Sequence, residues 1–152
     1  MTDWIAATIV RINNERAATR RYKDAVRAQL QALWLRLMKG LDAAVREFNG
    51  DASIGNVVRV SMPEATDFSA KVTSRGSTFE LNVAVDPDPD GMAPPITYSY
   101  TGGLKGTVGL FVDTEGDLCF LVPTEDDPTE EEPISEDGLV RKLLEPVFSA
   151  VH

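Results

Sequence analysis

The chain has 152 residues, 43% hydrophobic and 26% charged, and 15 Lys+Arg against 24 Asp+Glu give a net charge of −9. This length suits one domain of about 100–200 residues, and the apolar fraction excludes global disorder. A single cysteine, Cys119, excludes a disulfide-stapled scaffold, and the longest purely apolar run, Leu118 to Val122, is far short of the roughly 20 residues that cross a bilayer.

Residues 3–48 read as helix: proline is absent, and Ala, Leu, Arg and Gln abound. Tyr22, Val26, Leu30, Leu33, Leu37, Leu41, Val45 and Phe48 recur every three or four positions. Ile5, Ile9 and Ile12 project onto the same stripe if the helix is continuous. A continuous helix would span about 70 Å at 1.5 Å per residue, too long for a compact domain of this size. Either it breaks near Asn13-Asn14, or its first segment projects and packs against another copy. Asn49-Gly50 supplies a stop.

Across 55–123 the period changes to 2. Val58, Val60 and Met62 alternate with polar residues, as do Phe68, Ala70 and Val72, then Phe79, Leu81, Val83 and Val85, then Ile96, Tyr98 and Tyr100. Val108–Val112 and Leu118–Val122 are apolar on both faces and flank a turn, Asp113 to Asp117. They predict a hairpin in the most buried part of the sheet. Short connections predict an antiparallel meander of about six strands.

Residues 124–134 read as an acidic, solvated linker. Ser135 has the chemistry of an N-cap, with Glu136 and Asp137 in the first turn of a helix over 135–150. Ile134 and Leu139 hold the positions of a hydrophobic staple, and Pro146 should kink or end the helix. The whole chain, 1–152, is therefore expected to be a single α+β domain, with a long N-terminal helix, the meander, and a C-terminal helix packed on the sheet.

The charge is segregated. Residues 1–48 carry nine Lys/Arg and five Asp/Glu, a net +4, which leaves −13 for the rest. Arg16, Arg20, Lys23 and Arg27, spaced 4, 3 and 4, share one side of the helix. Their expected counterpart is the acidic stretch containing Glu130, Glu131 and Glu132, in the same chain or in a second copy. The overall acidity opposes nucleic-acid binding.

Nucleophilic chemistry finds little support. The only histidine, His152, is the last residue given, and Cys119 reads as an inert buried thiol. Asp86-Pro87-Asp88-Pro89-Asp90-Gly91 resembles the start of a calcium loop. However, Thr97 occupies the position of the required Glu, and strand patterns replace the flanking helices. Thr101-Gly102-Gly103-Leu104-Lys105-Gly106 has the wrong order for a phosphate-binding loop and reads as a hairpin turn.

No catalytic residue, cofactor or metal site is assigned. The expected function is a non-catalytic protein-interaction module (adaptor, chaperone-like or immunity-type) that forms a homodimer or binds a charged protein partner. Neither nucleic acid nor a membrane is the expected partner, and the expected location is the cytoplasm, since Met1-Thr2-Asp3-Trp4 lacks a secretory pattern. The alternative is a small-ligand-binding protein or hydrolase-like enzyme with a pocket between helix and sheet, lined by Trp34, Tyr98 and Tyr100.

Overall fold

A computed structural model describes residues 2–61, 68–86 and 95–151. Helix α1 (Asp3–Asn49) leads into seven strands: β1 (Val58–Ser61), β2 (Ser69–Ser74), β3 (Glu80–Val85), β4 (Ile96–Tyr100), β5 (Lys105–Val112), β6 (Leu118–Pro123) and β7 (Glu131–Ile134). Helix α2 (Glu136–Ser149) closes the chain. Each strand pairs antiparallel with its chain neighbours, so the sheet is an open meander in the order β1 to β7. The α+β class, the long first helix and the C-terminal helix on the sheet are those the residue pattern predicts.

The seventh strand lies inside the stretch expected to be a linker. Phe120 pairs with Ile134 and Val122 with Glu132, so β7 continues the ladder. Acidic side chains do not forbid this, because β7 is an edge strand and Glu131, Glu132 and Pro133 are exposed. Charge and proline at an edge also block further strand addition.

Helix α1 runs unbroken for 47 residues, about 70 Å. Asn13 and Asn14 do not interrupt it, since each costs only a fraction of a kcal/mol in a helix. Its second half is seated by two side-chain amides. Gln29 Nε2 donates to the Gly116 carbonyl at 2.8 Å, and its Oε1 accepts from the Leu118 N–H at 2.9 Å. Asn49 repeats the arrangement on β1, donating to the Val58 carbonyl at 2.8 Å and accepting from the Val58 N–H at 3.1 Å. The helix thus crosses the sheet from the β5–β6 turn to β1, and α2 lies over β2 and β3.

Both helices cover the same face. Leu37 and Leu41 of α1, Val72, Leu81 and Val108 of the sheet, and Leu139 and Val147 of α2 are fully buried between the layers. Among the described residues, the opposite face has no covering layer. For that reason β6 is buried on one side only: Leu118, Phe120 and Val122 are inside, while Cys119, Leu121 and Pro123 are half-buried. The hairpin is nevertheless the most buried part of the sheet, as expected, since Val108–Val112 and Leu118–Pro123 include no exposed residue.

Ser135 caps α2, its Oγ accepting from the Gly138 N–H at 3.0 Å. Pro146 lies within the helix and does not end it. Proline removes the donor that the Lys142 carbonyl would otherwise receive. Tyr100 supplies a substitute: its hydroxyl donates to the Leu143 carbonyl at 2.7 Å and lies 3.5 Å from the Lys142 carbonyl. Burial and the neighbouring Tyr98 push the Tyr100 phenol well above its ordinary pKa, so it stays a donor. Among the described residues, no helix is long and apolar enough to cross a membrane.

Candidate functional site

The first 19 residues of α1, Asp3 to Arg21, project from the folded body as an arm about 28 Å long at 1.5 Å per residue. All are exposed except Ile5 and Thr8, which are half-buried. Tyr22 is the first residue to pack against the core, and burial in the hydrophobic layer begins at Ala25. The arm is far from purely polar: Trp4 is 70% exposed and Val10 58%, and Ile9 and Ile12 are exposed beside them. Isolated surface apolar residues are ordinary, but Ile9 and Ile12 share one side of the helix with the half-buried Ile5, while Val10 lies on another side.

Arg16, Arg20, Lys23 and Arg27 are all exposed, and among the described residues none makes an ion pair. Arg16 and Arg20 belong to the arm, while Lys23 and Arg27 mark its root. Glu130, Glu131 and Glu132 are also exposed, at and beside the edge strand β7, and none of them pairs with the four cations. Among the described residues the structure therefore does not pair the two charged groups within one chain.

Of the three aromatic candidates, Tyr98 and Tyr100 meet edge to face with ring centroids 5.9 Å apart, while Trp34 packs elsewhere, on Phe68. Trp34 is buried and packs 6.3 Å from the Phe68 ring. Tyr100 is buried, stacks on Phe79 and makes the α2 contacts described above. Only Tyr98 borders open space. It pairs with Gly106 across β4 and β5, and its ring lies over that glycine where any Cβ would collide with it.

Beside Tyr98 is a cleft of about 790 Å³, bordered by Lys105, Gly106, Pro123, Glu125 and Lys142. Its origin is local. The β5–β6 ladder begins at Gly109 opposite Leu121 and does not extend to Pro123, which has no N–H to donate. The first half of β5 pairs with β4 alone, and the chain after β6 diverges from it. Lys105 and Lys142 reach this opening from β5 and α2, and among the described residues neither makes an ion pair. A second groove of about 660 Å³ runs between α1 and α2, where Gly40 lets Val140 approach closely.

Cys119 is half-buried. Its thiol lies 3.6 Å from Asp113 Oδ2 and 3.5 Å from the Asp117 carbonyl. Burial first, and then the Asp113 charge, push its pKa up, which disfavours a thiolate nucleophile. Asp113, Glu115 and Asp117 hold carboxylate oxygens within 4.8 Å of one another. Asp113 Oδ1 already accepts from the Glu115 and Asp117 N–H groups, both at 2.9 Å, and such bonds hold its carboxyl below the usual range. The trio reads as a braced turn. Gly102 and Gly103 take positive φ in the β4–β5 hairpin, where Tyr100 N–H donates to the Leu104 carbonyl. His152 and residues 87–94 of the calcium-loop-like stretch lie outside the described residues.

Sequence reasoning overlooked Gln29, Asn49, Lys105 and Lys142. A glutamine on an amphipathic helix carries no signal of the turn it will meet, and the two lysines converge only once α2 is packed. Compared with known protein families, curated proteins and solved structures, the chain matches none of them.

Proposed function

We propose that the protein is a non-catalytic interaction module that self-associates through the α1 arm. One observation carries this reading: the first 19 residues of α1, continuous with its seated half, are exposed apart from the half-buried Ile5 and Thr8 and include the apolar Ile9 and Ile12 on one side. An isolated helix of this length is marginal in water and is stabilised by burying an apolar side. A partner that covers Ile5, Ile9 and Ile12 supplies that burial. The unpaired cations beside these residues add a salt-dependent component, suited to an acidic protein surface. A cytoplasmic location belongs to the same reading.

Sedimentation equilibrium tests it. The full chain should form dimers in the micromolar range, and the double substitution Ile9→Asp with Ile12→Asp should return it to monomer. Both residues lie on the arm, so the fold of the body should survive. A wild-type chain that remains monomeric at high micromolar concentration defeats the reading.

A second reading, binding of a small anionic ligand, is favoured by the cleft where Lys105 and Lys142 converge beside Tyr98. Its volume falls within the range of about 300–1,000 Å³ typical of ligand sites. Millimolar inorganic phosphate or citrate should raise the melting temperature, and Lys105→Ala with Lys142→Ala should abolish the rise. No rise in the wild type would remove this reading.

A further inference from the structure

We infer that the cleft beside Tyr98 seats an extended acidic peptide, which adds a short strand to the free half of β5 and places adjacent carboxylates on Lys105 and Lys142. The inference rests on the reading of this cleft as an anion site and names its occupant.

The backbone of β5 supplies the edge. Tyr100 N–H donates to the Leu104 carbonyl at 2.7 Å, and the register continues with Gly106 opposite Tyr98 and Val108 opposite Ile96. In an antiparallel ladder, successive residues turn their N–H and C=O groups to alternate sides. Lys105, Thr107 and Gly109 therefore turn theirs away from β4. Gly109 meets Leu121 in the first pair of the β5–β6 ladder, whereas Lys105 and Thr107 lie before that ladder begins. Continued register would set Pro123 opposite Thr107, but proline has no N–H to exchange. The main chain of Lys105 and Thr107 thus faces the cleft without a ladder partner.

An edge of this kind is a template for strand addition. The outer edge at β7 is guarded by Glu131, Glu132 and Pro133. Lys105–Val108 carries neither acid nor proline, and Gly106 adds no side chain at its centre.

Charge selects the occupant. Lys105 shares a face with Ser99, its partner on β4, on the side of the sheet away from the helices. Lys142 belongs to α2 and reaches the cleft from the helix side. Among the described residues neither lysine makes an ion pair. The two cations therefore flank the free edge from opposite faces. A peptide lying in the plane of the sheet points successive side chains to opposite faces. Two adjacent Asp or Glu residues on an extended backbone match that alternation, one carboxylate to each lysine. Glu125 is the acid among the described residues that border the cleft, and it is exposed on the connection after β6. It opposes an acidic ligand, so Glu125→Gln should tighten binding.

Isothermal titration calorimetry on the full chain tests this with the capped peptide acetyl-Thr-Glu-Glu-Thr-amide. The controls are its Gln-Gln counterpart and a form N-methylated on its backbone amides. The Glu-Glu peptide should bind, and each control should bind about tenfold more weakly or not at all. Lys105→Ala and Lys142→Ala should each weaken binding about threefold, as for charge pairs that stay partly in water. Amide hydrogen exchange at Lys105 and Thr107 should slow in the complex. A thermal shift with phosphate or citrate but no binding of the Glu-Glu peptide overturns the inference and leaves the anion site standing. Equal binding of the N-methylated peptide, or unchanged exchange at both amides, also overturns it, because charge alone would then hold the ligand. No response to phosphate, citrate or peptide overturns both readings.

Discussion

Leu37→Ala should lower the unfolding free energy by about 2–5 kcal/mol, the range for removing a fully buried leucine and leaving a cavity. Leu37 has no exposed surface and lies between the two amide clamps at Gln29 and Asn49. Fastened at both ends, α1 has little freedom to move into the space, which places the loss in the upper part of that range. Urea unfolding followed by circular dichroism measures it. Leu35→Ala is the internal comparison. Its side chain is 36% exposed, on the other side of the same helix, and its loss should stay within about 0.5 kcal/mol. Equal losses at the two positions would mean that α1 is not seated as described.

Tyr100→Phe should cost about 1–3 kcal/mol, because it leaves buried carbonyl groups of α2 short of a donor. The distinguishing result lies in the pair with Pro146. In a Pro146→Ala background the helix regains an N–H aimed at the Lys142 carbonyl, so Tyr100→Phe should cost measurably less there than in the wild type. Strict additivity of the two substitutions would refute the coupling. The pH dependence follows from the same burial. The folded phenol is raised above its ordinary value, so on titration the unfolded chain releases this proton first. The hydroxyl's contribution is therefore constant below about pH 10 and falls as the pH rises beyond it.

The exposed arm proposed as an interaction surface was partly legible before the fold. The stripe through Ile5, Ile9 and Ile12 and the 4, 3, 4 spacing of the cations follow from helical period alone. The length of α1 against the size of the domain already required a projection or a break. Which of the two occurs was open, because Asn13-Asn14 is only a weak helix breaker and nothing local decides it. The pocket expected from Trp34, Tyr98 and Tyr100 shows the opposite limit. Alternation places Tyr98 and Tyr100 on one face of β4. It does not show that the Tyr100 hydroxyl is taken up by α2, or that Pro123 opens a cleft beside Tyr98.

By itself the sequence determined the kinds of element and their order. A hydrophobic period of 3.6 or 2, a serine cap and glycine turns are local signals, read within a few residues of where they act. Tertiary structure alone decided where α1 leaves the body, that Glu131–Ile134 is a strand, and that Pro146 can remain inside a helix. The first and last of these depend on partners far away in the chain, Gln29 meeting Gly116 across 87 positions and Tyr100 meeting Leu143 across 43, and the strand depends on its pairing with β6. Hydrogen bonds over such separations form only when packing brings the groups together, and no local pattern encodes them.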